Sequence, residues 1–234
     1  LKTFVPNFIT LLNLLSGAIA TIFAVEGNMT NAAFFVFMGI FFDFFDGFFA
    51  RKLNATSELG LQLDSLADMV TSGLVPALVL FHLLELAIAP SWDAYQILPY
   101  FGLSVALASA YRLAKFNIST EQSSYFIGLP TPANALLIMS LPLILAYQNN
   151  DSYNAIILNP LFLTVTTLLS CFLLNAPVKL IALKFKTWKF SDNASRYILI
   201  IFSIVALIVF KFAGIPLLII FYIILSLLNP PNNA

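Results

Sequence analysis

Charge is the scarcest property of this sequence. Asp, Glu, Lys and Arg together make up 9% of its 234 residues, whereas a soluble domain carries roughly a quarter charged residues. So little charge excludes an exterior that faces water on all sides. Acidic and basic residues balance at 11 each, for a net charge of zero and a pI near 6.8, which excludes a general affinity for nucleic acid. Cys171 stands alone, so a disulfide framework or a thiolate metal site within one chain is excluded. It reads as a buried apolar thiol in a helix. His82 is equally solitary and is expected near a membrane boundary.

What is present in quantity is apolar. Sixty per cent of residues are hydrophobic and the mean hydropathy is +0.94. A hydrocarbon core of about 30 Å needs roughly 20 helical residues. Candidate spans fall at about 8–25, 32–50, 59–81, 97–114, 131–148, 157–175, 196–210 and 214–229. The expected fold is therefore an all-α polytopic membrane protein of about eight transmembrane helices. The last two spans are short, and the Lys211–Gly214 hinge is tight enough for a re-entrant pair. The first run follows Lys2 but has the length of a span rather than of a cleaved signal segment.

Basic residues sort the loops. With the N-terminus inside, Lys2, Arg51, Lys52, Arg112, Lys115, Lys179, Lys184, Lys186, Lys189 and Arg196 all fall on one side and only Lys211 opposite. That bias assigns the former side to the cytoplasm. The stretch from Lys179 to Phe190 mixes lysines with Leu, Phe and Trp and reads equally well as an interfacial segment or as an ordinary basic loop. No soluble domain, fixed-period repeat or low-complexity tract is evident, and Asn229–Ala234 is a polar end broken by prolines.

Residues 41–70 hold carboxylates where lipid disfavours them. Asp43 and Asp46 lie in the second span, Asp64 and Asp68 in the third. Each Asp near a span centre costs about 2.5–3.5 kcal/mol on insertion scales, and four cost on the order of 10 kcal/mol. Arg51 and Lys52 offset only part of that. Asp43, Asp46, Gly47 and Ala50 share one helical face, as do Gly60, Asp64 and Asp68. The connecting loop is short, so the two helices are antiparallel neighbours. Gly47, Ala50 and Gly60 permit close backbone approach, which lets both carboxylate pairs converge near the cytoplasmic ends. Such an all-oxygen set suits Mg²⁺, Mn²⁺ or Ca²⁺. Four carboxylates suit two ions about 3.5–4 Å apart that clamp a phosphoryl group. The competing reading is a water-filled pathway for a cation transporter or channel, which gives no reason for Gly47, Arg51 and Gly60.

The pattern Asp43-x2-Asp46-Gly47-x2-Ala50-Arg51-x8-Gly60-x3-Asp64-x3-Asp68 resembles the signature of the CDP-alcohol phosphotransferase family, with all eight specified positions in 26 residues filled. The resemblance is expected to extend from residue 5 to about 175. It implies a six-helix core, within residues 1–190, followed by a C-terminal helical pair at 191–234 in which no chemistry is evident. It implies attack of a hydroxyl on a CDP-linked lipid with release of CMP. In the family the first three aspartates are mainly metal ligands, and the fourth, here Asp68, is the general base and also reaches a metal. Gly47, Arg51 and Ser57 correspond to contacts with the CDP moiety. The segment Asn7-Phe8-Ile9-Thr10 matches the part of the first span that approaches the nucleotide.

Three further segments resemble the phosphatidylserine synthase branch of that family. They are Val5–Gly17 (with Asn13 where the phosphatidylglycerophosphate branch more often carries Arg), YRLAKFN at 111–117, and FIGLPTPANA at 126–135. This implies L-serine as acceptor and CDP-diacylglycerol as donor. Glycerol 3-phosphate, an inositol phosphate, or serine on an archaeal ether lipid are the alternatives with the same chemistry. A serine site needs a fixed cation for the carboxylate, and Arg112 is the first candidate, with Lys115 second. Gly128, Pro130 and Pro132 read as a rigid turn before the fifth span. His82 is followed by Leu83, so the two His-x-Lys motifs of a covalent phosphohistidine route are absent. The resemblance also implies a homodimer, and the charge bias a prokaryotic cytoplasmic membrane with the site facing the cytoplasm.

Overall fold

The computed structural model describes residues 3–88, 96–118, 125–181 and 190–229. Lys2, Asp93, residues 182–189 of the basic Lys179–Phe190 stretch, and the end of the chain after Asn229 lie outside the described residues. The first two helices, α1 (Phe4–Val25) and α2 (Met29–Lys52), form the most extensive helix pair. Their buried faces explain it. Ala20 and Ala24 on α1 and Ala32, Ala33 and Val36 on α2 are all buried, so the side chains between these helices are small. Asn28 caps α2 by accepting from the Asn31 N–H at 3.2 Å.

A third run extends from Glu58 to Ala87 as α3 (Glu58–Asp68), a π-helical turn (Met69–Leu74) and α4 (Val75–Ala87). Ser57 starts it by accepting from the Gly60 N–H at 3.0 Å. The π turn has a local cause in Pro76. Its ring crowds the Ser72 carbonyl four residues back, and it has no N–H to donate. The backbone widens instead, and the Val75 N–H bonds to the Val70 carbonyl, five residues away. Next come a short α5 (Leu98–Phe101), α6 (Ser104–Ile118), α7 (Thr131–Tyr147), α8 (Asp151–Ile157) and α9 (Pro160–Asn175). The last pair, α10 (Phe190–Phe210, kinked at Asn193) and α11 (Gly214–Leu228), is joined by a 3-10 turn at Lys211–Ala213. Phe202 stacks on Phe221 with ring centroids 4.0 Å apart, so this run doubles back on itself as a hairpin.

Integral membrane character follows from these lengths and compositions, but a count of eight spans does not. Among the described residues, four runs are long and apolar enough to cross a bilayer: Phe4–Val25, Met29–Lys52, Glu58–Ala87 and Asn193–Leu228. A fifth is reached if α8 and α9, bent by 58° at Asn159–Pro160, are taken together. Helix α7 is apolar but has only 17 residues, and α6 has 15 with Arg112 and Lys115 among them. The two spans expected at 196–210 and 214–229 fall within one 36-residue run, Asn193–Leu228, folded at the hinge.

Two features were not anticipated. Strands β1 (Tyr125–Ile127) and β2 (Lys179–Ile181) pair antiparallel in a small ribbon, where the sequence suggested a turn and either an interfacial segment or a basic loop. The aliphatic core is also divided. The larger part joins α1, α2, α4, α7 and α9 around Leu80, Leu83, Ile138 and Leu163. A separate cluster of Leu129, Leu180, Ile181, Leu199, Ile219, Tyr222 and Leu225 lies between the ribbon and the C-terminal hairpin.

Candidate active site

Close approach of α1, α2 and α3 builds the site. A side chain at Gly60 would press on Asn7 Oδ1 and Ser57 Oγ, each 3.2 Å from the position of a Cβ. At Gly47 a Cβ would lie 3.3 Å from Arg51 Nη1, so the guanidinium folds back over that glycine. The missing side chains leave a cavity of about 460 Å³ between these helices, within the ~300–1,000 Å³ usual for a small-molecule site. Asn7 and Thr10 line it from α1, Asp46, Gly47 and Ala50 from α2, and Ser57, Gly60 and Asp64 from the start of the third run.

Asp64, on the lining of this space, belongs to a group of three of the four aspartates that the structure brings together. Carboxylate oxygens of Asp43, Asp64 and Asp68 all lie within 4.8 Å of one another. Asp68 is 7% exposed, and Asp64 Oδ1 is buried without a hydrogen-bond partner. Three carboxylates this close repel each other and are poorly hydrated, an arrangement that a hard cation would relieve. The donor set therefore fits a divalent metal ion. Asp46 stands apart from the trio. It is 5% exposed, and Thr10 donates a 2.6 Å hydrogen bond to its Oδ2, with the Pro6 carbonyl 3.1 Å from the same hydroxyl.

The surroundings hold this geometry in place. Asn13, one turn after Thr10 on the buried stripe of α1, donates to Asp68 Oδ1 at 3.4 Å. Its own carbonyl accepts from Thr71 Oγ1 at 3.2 Å. Thr71 in turn sits against Gly17 and Gly39, neither of which has room for a Cβ. The π turn after Asp68 is thus anchored to α1 by its second residue after Met69. On the other flank, Ser65 Oγ donates to Asn117 Oδ1 at 3.0 Å and Asn117 Nδ2 to Gln62 Oε1 at 3.3 Å, which ties α3 to α6.

That tie brings Arg112 beside the carboxylates. Arg112 is 8% exposed and within electrostatic reach of Asp68. Its Nη1 donates to Thr131 Oγ1 at 3.2 Å, while its Nε is buried with no partner. Lys115, one turn later, is exposed and makes no comparable contact with this group. Asn13 and Thr131 are site residues to which the sequence reading gave no part in holding Asp68 or Arg112. For Asn13 the signal was available: a polar side chain three residues after Thr10, inside an apolar span.

Comparison with known proteins agrees with this architecture. The sequence profile described as CDP-alcohol phosphatidyltransferase matches residues 3–172. The chain is similar to a Bacillus subtilis protein named CDP-diacylglycerol–serine O-phosphatidyltransferase, with 37% identity over 142 residues, covering 59% of this chain and 75% of that protein. It is similar to a Saccharomyces cerevisiae protein of the same name at 34% identity, covering 58% of this chain and 52% of the relative. A Methanothermobacter thermautotrophicus protein named archaetidylserine synthase shows 28% identity over 58% of this chain and 56% of its own length. The chain therefore spans about half the length of these two relatives. With the profile covering most of its length, from α1 through nearly all of α9, this chain belongs to the CDP-alcohol phosphatidyltransferase family.

Proposed function

We propose that this protein transfers a phosphatidyl group from CDP-diacylglycerol to L-serine, giving phosphatidylserine and CMP. The observation that carries the reading is the trio of Asp43, Asp64 and Asp68, which meets a nucleotide-sized cavity at Asp64, in a family member similar to serine O-phosphatidyltransferases. The cavity receives the CDP moiety. Asn7, Thr10, Gly47 and Ser57 face it, and Arg51 supplies positive charge over Gly47 for the diphosphate. Gly47 and Gly60 let the nucleotide lie against helix backbone.

Asp68 is the general base. The serine hydroxyl is a poor nucleophile until its proton is taken during attack. Its oxygen then bonds to the phosphorus that bears diacylglycerol, the bond from that phosphorus to the bridging oxygen breaks, and CMP departs with that oxygen. Asn13 orients Asp68 through its amide. Divalent metal ions, Mg²⁺ or Mn²⁺ and two per site, would be held by Asp43, Asp64 and Asp68 with Asp46 as the remaining ligand, and would offset the charge of the diphosphate. Arg112 grips the serine carboxylate through its unpartnered Nε edge. Lys115, being exposed, is at most an outer attraction for the acceptor.

The same reading places the site on the cytoplasmic face of a prokaryotic cytoplasmic membrane, on the strength of the basic-residue bias. It treats residues 1–190 as the catalytic core and 191–234 as an added helical pair, in a homodimer. A second reading keeps serine and exchanges the lipid for an archaeal ether lipid, in line with the name of the Methanothermobacter relative. Purified protein supplied with CDP-diacylglycerol or its ether counterpart, and with serine, glycerol 3-phosphate or inositol phosphate, tests both. Serine should give CMP release well above background. Release with glycerol 3-phosphate and none with serine would overturn the assignment.

A further inference from the structure

The C-terminal hairpin lies beyond residues 3–172, the part shared with the family, yet it is linked to the site through the β1–β2 ribbon. Tyr222 and Ser226 occupy one face of α11, one turn apart. The Tyr222 hydroxyl donates to the Ile181 carbonyl at 3.0 Å, and Ser226 Oγ accepts from the Ile181 N–H at 3.2 Å. Both backbone groups of one strand residue are therefore held by a single helix. Ile181 is paired with Tyr125 across the ribbon, and the Gly128 N–H bonds to the Val178 carbonyl at 2.9 Å.

Beyond β1 the chain has little freedom. Gly128 has a left-handed φ of +73°, and a Cβ there would collide with the Leu174 carbonyl. Leu129 bonds to the Leu173 carbonyl at 2.8 Å, Pro130 fixes the next φ, and Thr131 then begins α7 facing Arg112. Tyr222 itself lies in the neighbourhood of Arg112. Leu180, Ile181, Ile219 and Leu225 close the space between ribbon and hairpin with an aliphatic cluster separate from the main core.

We infer that α11 is a positioning element for the acceptor site, with Tyr222 and Ser226 clamping the β1–β2 ribbon so that Thr131 holds Arg112 in its serine-binding orientation. This rests on the assignment of Arg112 to the serine carboxylate. Loss of one clamp bond leaves the donor cavity and the carboxylate trio untouched, since neither contains a residue of the ribbon or of α11. The effect should appear in the affinity for acceptor alone.

The experiment is steady-state kinetics on the full-length protein in lipid, with serine and CDP-diacylglycerol varied separately, for Tyr222→Phe, Ser226→Ala, Ser226→Thr and Arg112→Ala. Tyr222→Phe and Ser226→Ala should each raise the KM for serine about fivefold, the equivalent of one ordinary hydrogen bond. The KM for CDP-diacylglycerol and kcat should stay within about twofold, and Ser226→Thr should restore the serine KM. Were Tyr222→Phe to fail to fold, Ser226→Ala and its threonine rescue decide. A raised serine KM in Arg112→Ala, with unchanged values in both clamp variants, overturns the clamp and leaves the acceptor assignment standing. Lowered thermal stability with an unchanged serine KM overturns it too, since α11 is then only packing. An unchanged serine KM in Arg112→Ala overturns the acceptor assignment, and the clamp with it.

Discussion

The run from Glu58 to Ala87 has two halves with opposite surfaces. In α3, Asp64 and Asp68 point into the protein while Leu59, Leu61 and Leu66 are exposed, and only Ala67 and Asp68 are buried. In α4, Val75, Val79, Leu80, Leu83 and Leu84 are all fully buried among other aliphatic side chains. One half gives its interior to charge and leaves its apolar groups outside; the other is packed like the centre of any helical protein. The comparison teaches that rigidity and chemistry are separated along a single helix. Close packing in α4 fixes the axis, and α3 uses that fixed axis to hold repelling groups together.

Three perturbations, in decreasing order of their expected effect on turnover, sharpen or break that division. Chelation with EDTA should abolish CMP release completely, and added Mg²⁺ or Mn²⁺ should restore it without refolding. Persistence of activity in the chelator would mean that the trio needs no ion. Asp68→Asn keeps the shape of α3 but removes the base, so kcat should fall by roughly 10²–10⁴-fold. Metal binding, read by isothermal titration, should largely remain, since Asp43 and Asp64 are unchanged. Near-normal turnover in that variant would remove Asp68 from its role. Leu80→Ala in the packed half should leave kcat per folded molecule within about twofold. It should lower the thermal midpoint by several degrees, because a buried leucine-to-alanine cavity costs about 2–5 kcal/mol. A large fall in kcat with an unchanged midpoint would show that the two halves are not separate in function.

Much of the site was visible in the chain because it is written in helical periods. Asp43 and Asp46, and Gly60, Asp64 and Asp68, are neighbours along single helices, where spacing alone determines which residues share a face. The position of Asp46 was not visible in this way. It stands outside the trio and is held by Thr10, which arrives on another helix 36 residues away. The ribbon was hidden for a related reason. Its strands are three residues each, too short for an alternating pattern, and they pair across more than 50 residues of sequence. Hydropathy located every major helical segment, but the helix lengths do not by themselves yield eight crossings. Pro160 bends one segment away from its neighbour, and the charges of α6 shorten another. Pro76 was in plain view, yet its effect falls on the turn before it, where Val70 accepts the bond that widens the helix.

That widened turn has a consequence for what the chain can tolerate. Each residue in a regular helix advances the face by about 100°, and the π turn holds one residue more than the α-helix it interrupts. The wider loop absorbs that residue locally, so the carboxylates of α3 and the aliphatic stripe of α4 keep nearly the relation they would have along an unbroken helix. Deleting one residue between Met69 and Leu74 would regularise the backbone and leave Asp64 and Asp68 facing Asp43, whereas deleting two, or inserting one more, would swing them about a quarter-turn away. The stretch therefore has one residue of slack on the short side and none on the long side.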